Sequence, residues 1–127
     1  MVDGSVLNLM FNFEKLESWH RAVDFADLVY RSTREFPRDE MFGLALQMRR
    51  AAVSISSNLA EGSSRSSRAD FARFTEIATG SLFEVVSQSV IAKRQGYLSE
   101  TDYLRTYQDA EQLGKMPSGL RGSLLAQ

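Results

Sequence analysis

The chain has 127 residues, no cysteine, one histidine, and fifteen basic against sixteen acidic side chains. That length supports one core burying about two-thirds of the unfolded surface, while the composition excludes a disulfide scaffold, any thiolate metal site and a two-histidine metal site within one subunit. A net charge of −1 with 43% hydrophobic residues describes a globular chain rather than a strongly basic nucleic-acid clamp.

Residues 1–12 read as a flexible N-terminal segment. Met1 to Met10 is weakly apolar but lacks the basic start of a secretory leader, so the expected address is the cytoplasm. No apolar run approaches the ~20 residues of a membrane span. The first helix is expected over Glu14 to Glu35, where Leu16, Trp19, Val23, Ala26 and Tyr30 step by three and four. It stops near Phe36, because the residue before Pro37 is pushed out of helical geometry. The second helix starts near Asp39 as N-cap, with Glu40 suiting the positive end of the helix dipole. Its stripe is Leu44, Met48, Ala51, Ile55 and Leu59, and Gly62 is placed as a left-handed C-terminal cap.

The run Gly62 to Arg68 is rich in Ser and Arg and reads as a loop. Ser67 with Asp70 resembles a capping box for the third helix. That helix runs to about Gln95, with Phe71, Phe74, Ala78, Ser81, Leu82, Val85 and Ala92 on one face. Gly96 takes the left-handed position after it, with Tyr97 folding back on Ala92. Ser99 caps the fourth helix, whose stripe is Tyr103, Tyr107, Ala110 and Leu113. Pro117 is expected to kink or end it, leaving 117–127 as a tail that can resume as a helical turn. No strand alternation is visible. Long helices joined by short loops imply antiparallel neighbours, so residues 1–127 are read as one all-α domain, an up-down-up-down four-helix bundle.

Three helices carry a second apolar set, on helix 1 roughly 110° from the main stripe at ~100° per residue. It comprises Ala22, Phe25, Val29 and Phe36, then Phe42, Leu46, Val53 and Ala60, then Phe83, Val86 and Val90. Either these residues widen the core face, since each helix of a bundle touches two neighbours, or they form a subunit interface. The interface candidates are Phe25, Val29, Phe42, Leu46, Val53, Phe83, Val86 and Val90.

Chemistry-bearing residues are sparse. His20 has no triad spacing around it. Glu76 and Glu84 lack the Glu-x-x-His motifs of a di-iron bundle, which one histidine cannot supply. Asn58 lies at the edge of the core stripe, where its amide ties down helix register or contacts a ligand, and Glu61 ends the same helix. Gly80-Ser81 is expected to let helix 3 approach Ala51-Ala52 closely. Twelve arginines stand against three lysines, and Arg49, Arg50, Arg65, Arg68 and Arg73 gather on helix 2 and around the following loop. Guanidinium forks suit phosphates and carboxylates equally, so this set is either a patch for a nucleic-acid backbone or a group of ion-pair partners for the acids.

The run Gln47-Met48-Arg49-Arg50-Ala51-Ala52-Val53-Ser54-Ile55, continued by Asn58-Leu59-Ala60-Glu61-Gly62, resembles the signature of the bacterial 23S rRNA intervening-sequence, or S23-type, proteins. Phe13, Leu16 and Trp19, Phe36-Pro37 leading into Phe42-Gly43-Leu44, Phe71 with Phe74, Ala78 with Gly80-Ser81-Leu82, and Gly114-Lys115-Met116 extend the likeness from Phe13 to Leu124. The resemblance implies an antiparallel bundle assembled into a homopentamer, no catalytic residue, and kinship to an accessory protein of the reverse transcriptase of diversity-generating retroelements. The acidic pI of about 5.8 departs from the basic relatives, and Pro117 interrupts a stretch that such proteins usually continue as helix.

Two functional expectations follow. One is a non-enzymatic homo-oligomer that contacts RNA, a ribonucleoprotein or a nucleic-acid enzyme through Arg49, Arg50, Arg65, Arg68 and Arg73. The other is a scaffold whose apolar helix faces bind a protein partner, without nucleic acid. Neither requires a cofactor, a metal or a membrane.

Overall fold

The computed structural model describes residues 11–126, apart from the side chain of Ser118. The expectations for Met1 to Met10 lie outside the described residues. A 3-10 turn at Asn12–Lys15 precedes α1 (Glu17–Thr33), and a second at Arg38–Glu40 precedes α2 (Leu44–Ser63); α3 (Arg68–Arg94) and α4 (Glu100–Leu125) follow. Each helix packs on its neighbours in chain order and α4 returns to α1, while the diagonal pairs make no close backbone approach among the described residues. The section is therefore a square, with α2 and α3 in the most extensive contact.

The core runs down the centre of that square. Met48, Ile55 and Leu59 of α2 meet Val29 of α1 and Val85 of α3, all essentially inaccessible to water. Small residues let the rods close up: Ala22, Ala45, Ala52, Ala78 and Ala92 are each completely buried. Thr33, Thr75 and Thr106 are buried too, each returning its hydroxyl to a carbonyl one turn back on its own helix, at 2.7–2.8 Å, which removes the penalty of an unmet polar group.

On α1 the second apolar set joins Ala26 of the expected main stripe in the core, and the aromatic members of that stripe move to the edge. Ala22, Phe25 and Val29 face the core, whereas Tyr30 of the expected main stripe is 41% exposed. Trp19 is also only partly buried. Both rings carry a polar tip that favours an edge with access to water, and the purely hydrocarbon side chains take the centre. Phe25 and Val29, expected at a subunit interface, are 2% and 1% exposed within the single chain; they belong to the core.

The helix ends follow local chemistry, with several corrections. Asp39 does not cap α2. The chain leaves Pro37 in a 3-10 turn, Gly43 occupies the N-cap position, and Glu40 Oε2 accepts from the Leu44 amide at 3.0 Å. A Cβ on Gly43 would come within 2.7 Å of that same carboxylate oxygen, so the glycine makes room for the cap. Gly62 lies inside α2, not after it in a left-handed position, and Ser64 is the C-cap. Its missing side chain lets α3 approach: an added Cβ would stand 2.7 Å from Phe74 Cβ and 2.9 Å from Phe71 Cδ1. Gly80, by contrast, faces open space, and Ser81 meets Ser54 rather than the Ala51-Ala52 pair.

Ser67 and Ser99 cap α3 and α4, each accepting from the amide three residues on, at 3.0 and 3.1 Å. Asp70 does not reach back to complete a box; its carboxylate is taken by Arg73 and Arg65. After α3, Gly96 adopts φ +78°, and Tyr97 N–H donates to the Ala92 carbonyl at 2.9 Å. This is the expected glycine-terminated cap. The side chain tucked inside is Leu98 at 3% exposure, while the Tyr97 ring lies 5.8 Å from that of Phe36.

Pro117 neither ends nor exits α4, which continues to Leu125 with the proline buried. At the other end, Trp19 is packed between Phe13 of the first 3-10 turn, at 4.7 Å between centroids, and His20 at 5.0 Å. The His20 Nε2 lies 2.7 Å from the Glu14 carbonyl.

Candidate functional site

Two opposite sides of the square retain apolar surface. The first is the α1/α2 face. Val53 is 40% exposed, Leu46 is half-buried, and Tyr30 joins them where the Arg49 guanidinium lies over its ring at 4.9 Å. Phe42, in the turn between α1 and α2, is 90% exposed. At ~100° per residue, Leu46 and Val53 fall about 20° apart on α2, so they form one short ridge.

The second is the α3/α4 face. Phe83 is 69% exposed, and Val86 and Val90 are half-buried along the same side of α3. A groove of about 690 Å³ runs between the helices, with Leu82, Phe83, Val86, Tyr107 and Ala110 as walls and Gly114 in its lining. Gly114 maintains that depth, because a Cβ there would press on Leu82 Cδ2 at 3.2 Å. Glu111 and Lys115 flank the opening. Sequence reasoning found Phe83, Val86 and Val90 but missed Tyr107 and Gly114 as parts of a surface. The Ala110-x-x-x-Gly114 spacing on α4 was the available signal.

The arginines do not form one patch. Arg49 donates from Nε to Thr33 Oγ1 at 2.8 Å and clasps α2 to α1. Arg65 and Arg73 lie at the α2–α3 turn, about 24 Å along α2 from Arg49 at ~1.5 Å per residue. Arg65 bonds Glu61 Oε1 at 3.0 Å, Arg73 bonds Asp70 Oδ1 at 3.0 Å, and both guanidiniums lie over the Phe74 ring at 4.8 and 4.6 Å. Their charge is thus largely answered within the chain. Arg50 and Arg68 are exposed and take part in no ion pair among the described residues.

Asn58 acts structurally. Its amide donates to the Ser54 carbonyl at 2.8 Å and to Ser54 Oγ at 3.0 Å, and Ser54 Oγ meets Ser81 Oγ at 2.8 Å, which ties α2 to α3. Glu61 serves as the ion-pair partner of Arg65. Among the described residues no group of three His, Asp or Glu side chains is placed to hold a metal ion, and no helix is long and apolar enough to cross a membrane. A smaller cleft between α1 and α4, about 240 Å³, is lined by Arg21, Asp24 and Asp109 among others.

These features define an all-α protein, an antiparallel four-helix bundle with small-residue packing inside and two unlike apolar faces outside. Residues 14–119 match the family model described as "23S rRNA-intervening sequence protein", and the chain belongs to that family. The fold is similar to that of a protein of unknown function from the S23 ribosomal protein family of Bacteroides thetaiotaomicron VPI-5482. The TM-score is 0.73 at 21% identity, over 82% of this chain and 97% of that one. No curated protein matches the sequence.

Proposed function

We propose that this protein is a non-enzymatic homo-oligomeric assembly protein, with five copies as the number implied by its family resemblance. The observation that carries the reading is the exposure of two phenylalanines, Phe42 at 90% and Phe83 at 69%, on faces already enriched in valine and tyrosine. Monomers rarely display such patches without a partner to cover them, and aromatic anchors of this kind are the usual centres of protein interfaces. Light scattering at micromolar concentration should give a mass several times the 14.3 kDa of one chain. The mass of a single chain would remove the reading.

A second reading concerns RNA. It is favoured by Arg50 and Arg68, exposed and without an ion pair among the described residues, the latter beside Arg65 and Arg73. A symmetric assembly would repeat that end of the molecule around one rim and concentrate the charge. Affinity for a structured RNA should then fall steeply with salt. Arg68→Ala should lower the slope of log K against log salt by roughly 1 for every phosphate that Arg68 neutralises. No binding at low salt leaves the protein-scaffold role alone.

A further inference from the structure

We infer that the ten residues before Phe11 run back over the α1/α2 face of their own chain as a strap, entering a cleft beside Ala60 and covering Val53. The inference goes beyond the homo-oligomeric reading and leaves Phe42 and the α3/α4 groove to it.

The occupant is argued first from where the chain joins the bundle. Phe11 is the first described residue. Its amide donates to Glu14 Oε1 at 3.2 Å, and Asn12 Nδ2 donates to the Ser63 carbonyl at 3.3 Å. These two bonds hold the start of the described chain against the C-terminal end of α2. A cleft of about 410 Å³ opens at that point, lined by Phe11, Phe13, Ala60, Glu61, Ser63 and Ser64. The Phe11 ring lies 5.6 Å from that of Phe13 in a stacked arrangement, yet it is 59% exposed.

The cleft is also the lower end of the ridge. Ala60 follows Val53 by seven residues, as Val53 follows Leu46. Each step turns about 20° and rises ~10 Å along α2, so the three stand nearly in line. Ten residues reach about 33 Å when extended and about 15 Å even when helical. The segment therefore spans from Ala60 to Val53 in either form, and when extended it reaches Leu46.

Its composition suits that path. Val2, Val6 and Met10 are spaced by four and share one face of an extended chain, on which side chains alternate. Asp3 is its single charged side chain. Arg50, exposed and in no ion pair among the described residues, stands beside the line between Leu46 and Val53. Tethering supplies the last argument. A segment joined at Phe11 is held near the ridge at an effective concentration of about millimolar, which a free partner must exceed to displace it.

The experiment uses the full chain, which contains no cysteine, so Val53→Cys carries a single thiol. Ile77→Cys on α3 is the reference, because Ile77 is 42% exposed among the described residues against 40% for Val53. Circular dichroism checks that each variant folds. With an uncharged maleimide, Val53→Cys should react about tenfold more slowly than Ile77→Cys, as for a strap open in about one molecule in ten. Adding Val6→Asp and Met10→Asp to the Val53→Cys chain should bring the two rates together. Equal rates without those changes overturn the strap, and so does a slow rate that they leave unaltered, which assigns the ridge to another cover. A second arm separates the chain's own segment from a neighbour's. Oxidised Val6→Cys/Val53→Cys chain should run as a single 14.3 kDa species in denaturing electrophoresis, its two thiols no longer free. A product of about twice that mass, or thiols that stay free, overturns the proposal. The light-scattering mass of the wild type is read separately, and a monomer there removes the assembly reading while leaving the strap in place.

Discussion

Gly62 shows how one residue sets the spacing of two helices. It reads in sequence as a terminator, because glycine after an apolar stripe usually supplies a left-handed cap. Its actual role depends on Phe71 and Phe74, which the turn folds back against it. Whether a glycine is needed for backbone angle or for space is decided by such a neighbour, and periodicity along one helix does not reveal it. Gly62→Ala should therefore destabilise the protein by about 1–3 kcal/mol, the usual cost of overpacking, despite the higher helix propensity of alanine. Urea unfolding measures it, and an unchanged midpoint would contradict the close approach. The same dependence on neighbours explains Asp70, whose carboxylate is short for a capping box and lies within reach of two guanidiniums. Asn58 was more legible: an amide at a stripe edge must find partners, and the nearest are one turn back.

At the scale of elements, the count, order and type of the four helices follow from the 3.6-residue period and the punctuation between them. Ser67, Gly96 and Ser99 were readable because each cap acts within a few residues. Ser99→Ala should remove the bond to the Asp102 amide and cost about 1 kcal/mol. Thermal unfolding would register it, and no loss of stability would mean that Glu100 and the dipole suffice. The inward face of α1 was less legible. Trp19 and Tyr30 dominate a hydrophobic tally, yet their polar tips favour the rim, and the alanine-rich side enters the core instead. Of the two outcomes expected at Pro117, the ending does not occur. An interior proline removes one backbone hydrogen bond and crowds the preceding turn, yet α4 runs through Pro117 to Leu125 with the ring buried.

For the whole molecule, the bundle was predictable and its surface was not. Short connections force antiparallel neighbours, but which side chains line a groove depends on how α3 and α4 rotate against each other, a property of Leu82, Ala110 and Gly114 together. The five arginines fall into two groups, Arg49-Arg50 on the first half of α2 and Arg65, Arg68 and Arg73 around the α2–α3 turn, because the remaining turns of α2 at ~1.5 Å per residue hold the groups apart. The aromatic cluster at the start of the chain bears on how this protein is observed. Trp19 is its only tryptophan, and its indole packs, tilted, against the Phe13 ring of the leading 3-10 turn, with an imidazole at its edge. Intrinsic emission is thus a local gauge of whether that turn is docked, blind to the far half of α3 and α4. On heating, the fluorescence midpoint should fall below the one seen by circular dichroism if the turn peels away first; coincident curves would show that undocking it and melting the bundle are one event.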